Sequence, residues 1–278
     1  MNGLVKRLIF YPVFFSIILF IMFTILTNLI YFPLPEVEST AYPHEDIFIT
    51  VENNQKINAW YIKAKEGFPT IVFSHGNGGN MDMFFPMLKP AIYEGFGVLI
   101  YDYRGYGKSD GRPFETGLYK DLESAINYLN TVKNIKNEDI ILWGLSIGGG
   151  VTAEIASKNT FRGVILQSTF PGVRDVAISK IKSIFFGNTT NATVDKVVTK
   201  IVYSLPVIQK YETKNKIGNI KVPLLILHSK EDEIFPYHLA EINYSNNPNA
   251  QFFLSENGGH NDSYWADARV LEFLDSLK

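Results

Sequence analysis

The longest apolar pattern in the chain runs from Leu8 to Phe32, LIFYPVFFSIILFIMFTILTNLIYF, without one charged residue. At about 25 residues it exceeds the roughly 20 that a helix needs to cross a bilayer. Cleavable signal peptides carry apolar regions of only about 7 to 15 residues before a small-x-small site. The pattern therefore predicts one transmembrane helix over 8–32 that is retained as a signal anchor. Pro12 lies near its start, where lost backbone hydrogen bonds cost least. Lys6 and Arg7 precede the stretch, and Glu36 and Glu38 follow it. Residues 1–7 are therefore expected in the cytoplasm and the remaining domain on the outward side, periplasmic or lumenal. Pro33, Pro35 and Pro43 in polar, acidic surroundings read as a linker over 33–45, and 46–278 has the length of one α/β domain.

Beyond the linker the period changes. Asp46 to Glu52 alternates Ile47, Ile49 and Val51, and Asn53-Asn54 offers a turn into Ile57 to Ile62, which predicts an antiparallel hairpin. Apolar runs at Thr70–Ser74, Gly97–Tyr101, Ile140–Trp143, Gly163–Leu166, Pro223–Leu227 and Gln251–Leu254 predict further strands. Between them, Leu118, Leu122, Ala125, Ile126 and Leu129 recur on one face of a helix over Gly117–Asn130. Alternation of strands and helices implies a mainly parallel sheet wrapped on both faces. The interval of about 45 residues before Pro223 departs from this rhythm. Val176 to Phe186 and Val197 to Leu205 predict two short apolar-faced helices, either packed on the sheet or forming a small cap over 170–216 that walls an acyl-binding space.

The chemistry is concentrated at Asp139 to Glu154, DIILWGLSIGGGVTAE. A buried strand meets a helix at Gly144-Leu145-Ser146-Ile147-Gly148, a G-x-S-x-G turn so sharp that side chains at either glycine would strike backbone. Ser146 is thereby expected at the carboxyl end of the strand, where ligands bind in such sheets. The Ile147 N–H, at the start of the helix, is aimed where an oxyanion would form. A serine hydroxyl needs a base, and His260, in the flexible turn Asn257-Gly258-Gly259-His260 beyond the last strand, can reach neighbouring strand ends. His44, His228 and His238 read as structural or surface residues, and His75 as a shaper of its turn. The acid that orients the base is sought after Leu227, in His228-Ser229-Lys230-Glu231-Asp232-Glu233-Ile234-Phe235-Pro236, where spacing alone leaves Glu231, Asp232 and Glu233 open.

Composition narrows the classes. A net charge of −2, from 26 basic and 28 acidic residues, with no basic cluster, gives no electrostatic reason to expect a nucleic-acid partner. The absence of cysteine excludes disulfides, thiolate catalysis and cysteine-ligated zinc. No metal-ligand cluster or dinucleotide fingerprint is present, so neither metal nor organic cofactor is expected.

SHGNGGN, YDYRGYGKSDG, GLSIGGG, HSKEDEIFP and NGGHND, in this order from Ile47 to the C-terminus, resemble the α/β-hydrolase superfamily, and in wording its membrane-anchored BEM46-like branch. The resemblance implies an α/β-hydrolase fold with Ser146 as nucleophile, Asp232 as acid, His260 as base, and Ile147 and Asn77 as oxyanion donors, Gly78 being the fallback for Asn77. Asp102 and Arg104 match a motif that implies a local ion pair bracing their loop. The implied activity is a membrane-anchored serine esterase or thioesterase acting on hydrophobic acyl substrates, with the bilayer and an acyl ester or thioester as partners. A serine peptidase of the proline-aminopeptidase type is the alternative within enzymes. A non-catalytic receptor or scaffold that kept the fold is the alternative outside them.

Overall fold

The computed structural model of the chain describes residues 30–35, 42–187, 192–262 and 264–278. Among them, eight strands form one sheet: β1 (Glu45–Thr50), β2 (Lys56–Ile62), β3 (Thr70–Ser74), β4 (Gly97–Tyr101), β5 (Ile140–Leu145), β6 (Gly163–Gln167), β7 (Leu224–Ser229) and β8 (Gln251–Ser255). Their order is β1-β2-β4-β3-β5-β6-β7-β8. β2 alone runs antiparallel to its neighbours, and every other pairing is parallel. The predicted hairpin is present, and Asn53 and Asn54 make its turn with φ of 56° and 59°, a left-handed region that asparagine tolerates.

Successive strand residues face opposite sides of the sheet, and both sides are buried. Val72, Leu99, Leu142, Val164 and Leu166 meet α2 (Glu115–Thr131) and α3 (Ile147–Ala156) on one face. Ile71, Phe73, Ile100, Ile141, Trp143 and Leu225 meet α1 (Lys89–Glu94) and the C-terminal helix, whose Val270, Phe273 and Leu274 point inward, on the other. This is why these strands read as continuous apolar runs.

The interval between β6 and β7 holds α4 (Val173–Phe186), α5 (Ala192–Ser204) and α6 (Thr213–Ile217). Of the apolar residues expected on the first two helices, only Val198 and Val202 are buried, while Ile184 and Phe185 are each 73% exposed. Val173 and Val176, at the start of α4, pack partly buried against the core of the sheet, so core packing accounts for that end of the pattern, while Ile184 and Phe185 at the other end stand out from it. α7 (His238–Ser245) and α8 (Asp267–Asp275) complete the helices that flank the last two strands.

Of the apolar N-terminal stretch, 8–29 lies outside the described residues. Among the described residues no helix is long and apolar enough to cross a membrane. The last residues assigned to the anchor belong instead to the domain: Tyr31 is buried, and Phe32–Pro33 forms a short parallel pairing with Gly78–Gly79. Pro33 and Pro35 are thus docked rather than part of a free linker, because the loop after β3 offers backbone partners to an extended segment.

Candidate active site

β5 ends at Leu145, and Ser146 turns the chain into α3 with φ 55° and ψ −119°. This left-handed conformation is strained for a residue with a side chain and recurs at functional turns. Both flanking glycines are required by space. A Cβ on Gly144 would stand 2.3 Å from the Gly148 carbonyl oxygen, and one on Gly148 would stand 2.0 Å from the Ser74 oxygen. The crowding ties the turn to the end of β3, and a Cβ direction at Gly76 lies 3.7 Å from Ser146 Cβ. From the other side, Ser146 N–H donates to Gln167 O at 2.9 Å and Thr169 Oγ1 donates to Ser146 O at 2.7 Å.

His260 arrives from the loop after β8. Its Nε2 is 3.0 Å from Ser146 Oγ and its Nδ1 is 2.7 Å from Asp232 Oδ2. An ionised carboxylate can only accept, so the ring proton sits on Nδ1 and the Nε2 lone pair faces the serine hydroxyl. The imidazole stands edge-on to Phe235, with centroids 5.1 Å apart. Asp232 is fixed in turn: Oδ1 accepts from the N–H groups of Ile234 (2.9 Å) and Phe235 (2.7 Å). Ser146 is 6% exposed, and the side chains of Asp232 and His260 are 0% and 8% exposed, so the hydrogen-bonded chain lies in a largely dry setting.

The two neighbouring acids, which spacing left as rivals of Asp232, hold the histidine loop instead. Glu231 accepts from Gly258 N–H (3.1 Å) and Glu233 from His260 N–H (2.9 Å). Gly258, at φ 101°, permits the turn. The sequence offered a signal for this in the uninterrupted Glu-Asp-Glu run, three acceptors presented to one glycine-rich loop. His228, read as structural, lies at the same site. Its Nε2–H donates to Phe235 O (2.7 Å) and stands 3.3 Å from Asp232 Oδ2, and burial holds its pKa below the ordinary histidine value. His238 opens α7 on the surface, and His44 packs on Trp60.

Across the serine, Ile147 opens α3 as expected, and Asn77 follows Gly76 in the loop beside Ser146. His75 is fully buried and shapes that loop: its Nδ1–H donates to Gly76 O at 2.7 Å, and its own carbonyl accepts from Tyr103 OH at 2.9 Å. The expected Asp102–Arg104 ion pair is not formed. Arg104 pairs with Asp121 on α2, through Nη2 to Oδ1 at 2.7 Å and Nε to Oδ1 at 3.0 Å. Asp102 accepts from Met81 N–H at 2.6 Å and stands 3.4 Å from His75 Nε2. The physical reason is that the two side chains leave the loop in different directions, Asp102 toward the β3 loop and Arg104 toward the helix. No group of acidic, histidine or cysteine side chains suited to a metal ion occurs among the described residues.

Comparison with known proteins agrees with this architecture. A family model described as the alpha/beta hydrolase fold matches residues 69–196. The Arabidopsis thaliana alpha/beta hydrolase domain-containing protein WAV2 is 29% identical over 274 residues, covering 89% of this chain and 87% of that protein. An esterase of Pyrococcus furiosus, Pf2001, superposes with a TM-score of 0.66 at 21% identity, over 88% of this chain and 98% of that one, which is a likeness of fold. The uncharacterized membrane protein YNL320W of Saccharomyces cerevisiae is 31% identical over 252 residues, or 82% of this chain and 79% of that protein. With the strand order, the serine turn and relatives of this extent all in agreement, the chain belongs to the α/β-hydrolase superfamily.

Proposed function

We propose that the chain is a serine hydrolase that cleaves ester or thioester bonds of hydrophobic acyl substrates through an acyl-enzyme. The observation that carries this reading is the continuous hydrogen-bonded series from Ser146 Oγ through His260 to Asp232. Ser146 Oγ attacks the acyl carbonyl while its proton passes to His260 Nε2. Asp232, already bonded to Nδ1–H, stabilises the imidazolium without taking its proton. The backbone N–H groups of Ile147 and Asn77 receive the oxyanion. The alkoxide or thiolate then leaves with the proton from Nε2, and a water deprotonated by the same nitrogen releases the acid and restores Ser146.

A hydrophobic acyl preference is supported by the open apolar side chains of α4 and α5, among them Ile184, Phe185, Val197 and Ile201. Membrane anchoring rests on 8–29, which even without the three docked residues retains the length a bilayer-spanning helix needs. The relative YNL320W is named a membrane protein and the fold neighbour Pf2001 an esterase, which fits both halves of the proposal. The Lys6 and Arg7 pair puts the N-terminus in the cytoplasm and the domain outside; protease added to the outer face then digests the domain, and protection reverses the orientation. Placement in the BEM46-like branch rests on the wording of the five motifs.

The test is labelling of detergent-solubilised protein with a fluorescent fluorophosphonate. Label that vanishes in Ser146→Ala and falls sharply in His260→Ala supports the assignment. Folded wild-type protein that takes no label refutes it and favours a scaffold. Peptide amides cleaved faster than acyl esters would favour the peptidase alternative.

A further inference from the structure

The loop that carries Asn77 contains Gly76, Gly78 and Gly79, and glycine gives it little rigidity of its own. An oxyanion donor works only when it is held in place before charge develops. What holds this loop is a segment about 45 residues earlier in the chain. Phe32–Pro33 pairs with Gly78–Gly79, and Leu34 N–H donates to Gly79 O at 3.0 Å. Asn80 Nδ2 donates to Pro35 O at 2.9 Å.

The side chain of Asn77 is the centre of this contact. Its Nδ2 donates to Ile30 O, and its Oδ1 accepts from Phe32 N–H (3.3 Å) and from Tyr106 OH (2.9 Å). The carboxamide is thereby committed to the N-terminal segment, while the backbone one residue earlier lies against Ser146. The same segment is fastened at the far side of the site. Tyr31 OH bonds to Tyr211 OH (2.7 Å) and Gln209 (3.3 Å), just before α6. Tyr211 N–H in turn donates to Glu115 (2.8 Å) at the start of α2.

We propose that Ile30–Pro35 is a working part of the oxyanion site: a strap, continuous with the apolar N-terminal stretch, that positions the Asn77 backbone through the Asn77 side chain. Asn77 through its carboxamide, Tyr106 and the Phe32 N–H are then positioning groups. Activity is coupled to the attachment of the anchor, because the segment that leaves the apolar stretch is the one that fixes the loop. The inference rests on the serine hydrolase reading.

The experiment uses the full chain in detergent, with Asn77→Ala, Asn77→Asp, Tyr106→Phe and Phe32→Pro, and Ser146→Ala as control. Hydrolysis of a short p-nitrophenyl ester is expressed per site titrated by fluorophosphonate, and inhibition by an acyl trifluoromethyl ketone reports oxyanion binding. Displacing a reacting group by about 1 Å costs about 100-fold, so Asn77→Ala is expected to lower kcat by about 10- to 100-fold with KM nearly unchanged. Ketone affinity should weaken in parallel. Asn77→Asp keeps the acceptor for Tyr106 OH and Phe32 N–H but sets a carboxylate oxygen against the Ile30 carbonyl, so it should not recover the loss. Tyr106→Phe and Phe32→Pro should each lower kcat and add little on top of Asn77→Ala, as coupled groups do. Lower thermal stability with unchanged kcat per site and unchanged ketone affinity would overturn the strap. Full activity in Ser146→Ala would instead overturn the hydrolase reading beneath it.

Discussion

Replacing Asp232 by asparagine separates orientation of the base from mere occupancy of the acid position. Two backbone donors, Ile234 N–H at 2.9 Å and Phe235 N–H at 2.7 Å, point at Oδ1. In a buried site a donor cannot face a donor without a large penalty, so the amide oxygen of the variant must occupy that place. The amide nitrogen then stands where Oδ2 was, 2.7 Å from His260 Nδ1, and presents a proton to it. His260 can accept that proton only by carrying its own on Nε2, which then faces Ser146 Oγ as a donor instead of a base. The proposed proton transfer is blocked although the fold is kept. The same tautomer reversal in an unrelated Ser-His-Asp enzyme lowers kcat by about 10⁴, or roughly 5.4 kcal/mol of barrier at about 1.36 kcal/mol per factor of ten. The assay is kcat and KM for a p-nitrophenyl ester near neutral pH, with thermal unfolding as the control for folding. A fall of this order in kcat with little change in KM is expected. A folded variant within tenfold of wild type would refute the tautomer argument and the assignment of Asp232.

Two further outcomes follow from buried charges. Arg104 and Asp121 are 3% and 0% exposed, and burial pushes the Asp121 carboxyl above its ordinary pKa although Arg104 pulls it down. Asp121→Ala removes the close partner of the guanidinium, leaving it only Glu52 at 3.7 Å, and should cost about 3–5 kcal/mol in urea unfolding, while an apolar pair at both positions should cost less, about 1–3 kcal/mol for the Arg104 backbone N–H left without its acceptor; a loss below about 1 kcal/mol in Asp121→Ala would contradict the role. His228 has a folded pKa below its ordinary value because it is buried, so as pH falls through about 6.5 the unfolded chain binds its proton first. Stability should therefore decline on acidification until the folded histidine also protonates, and His228→Gln should flatten that part of the profile of unfolding temperature against pH; superimposable profiles would exclude this contribution.

Much of the site's chemistry was legible in the chain itself. Runs such as Ile140–Trp143 announce strands buried on both faces, because such a strand has no solvent side on which to place polar residues. Gly144 and Gly148 announce the serine turn, because no Cβ fits at either place. These are local constraints, written in adjacent residues. The sequence also told of a helical pair before β7, but not that Ile184 and Phe185 would be left in solvent, since periodicity gives a face and not its neighbour.

Tertiary structure decided the rest wherever partners are distant in sequence. Glu231, Asp232 and Glu233 are equivalent by spacing, and only the approach of the 258–260 loop assigns the middle one to the imidazole and the outer two to backbone N–H groups. Arg104 chose Asp121 over Asp102 because α2 passes its side of the loop. Ile30–Phe32 looked like the end of an apolar span, since hydropathy records composition and cannot register an extended partner 45 residues away. The chain fixed which groups could act, and the fold fixed which of them meet, because hydrogen bonds and packing across the sheet depend on positions that local pattern does not encode.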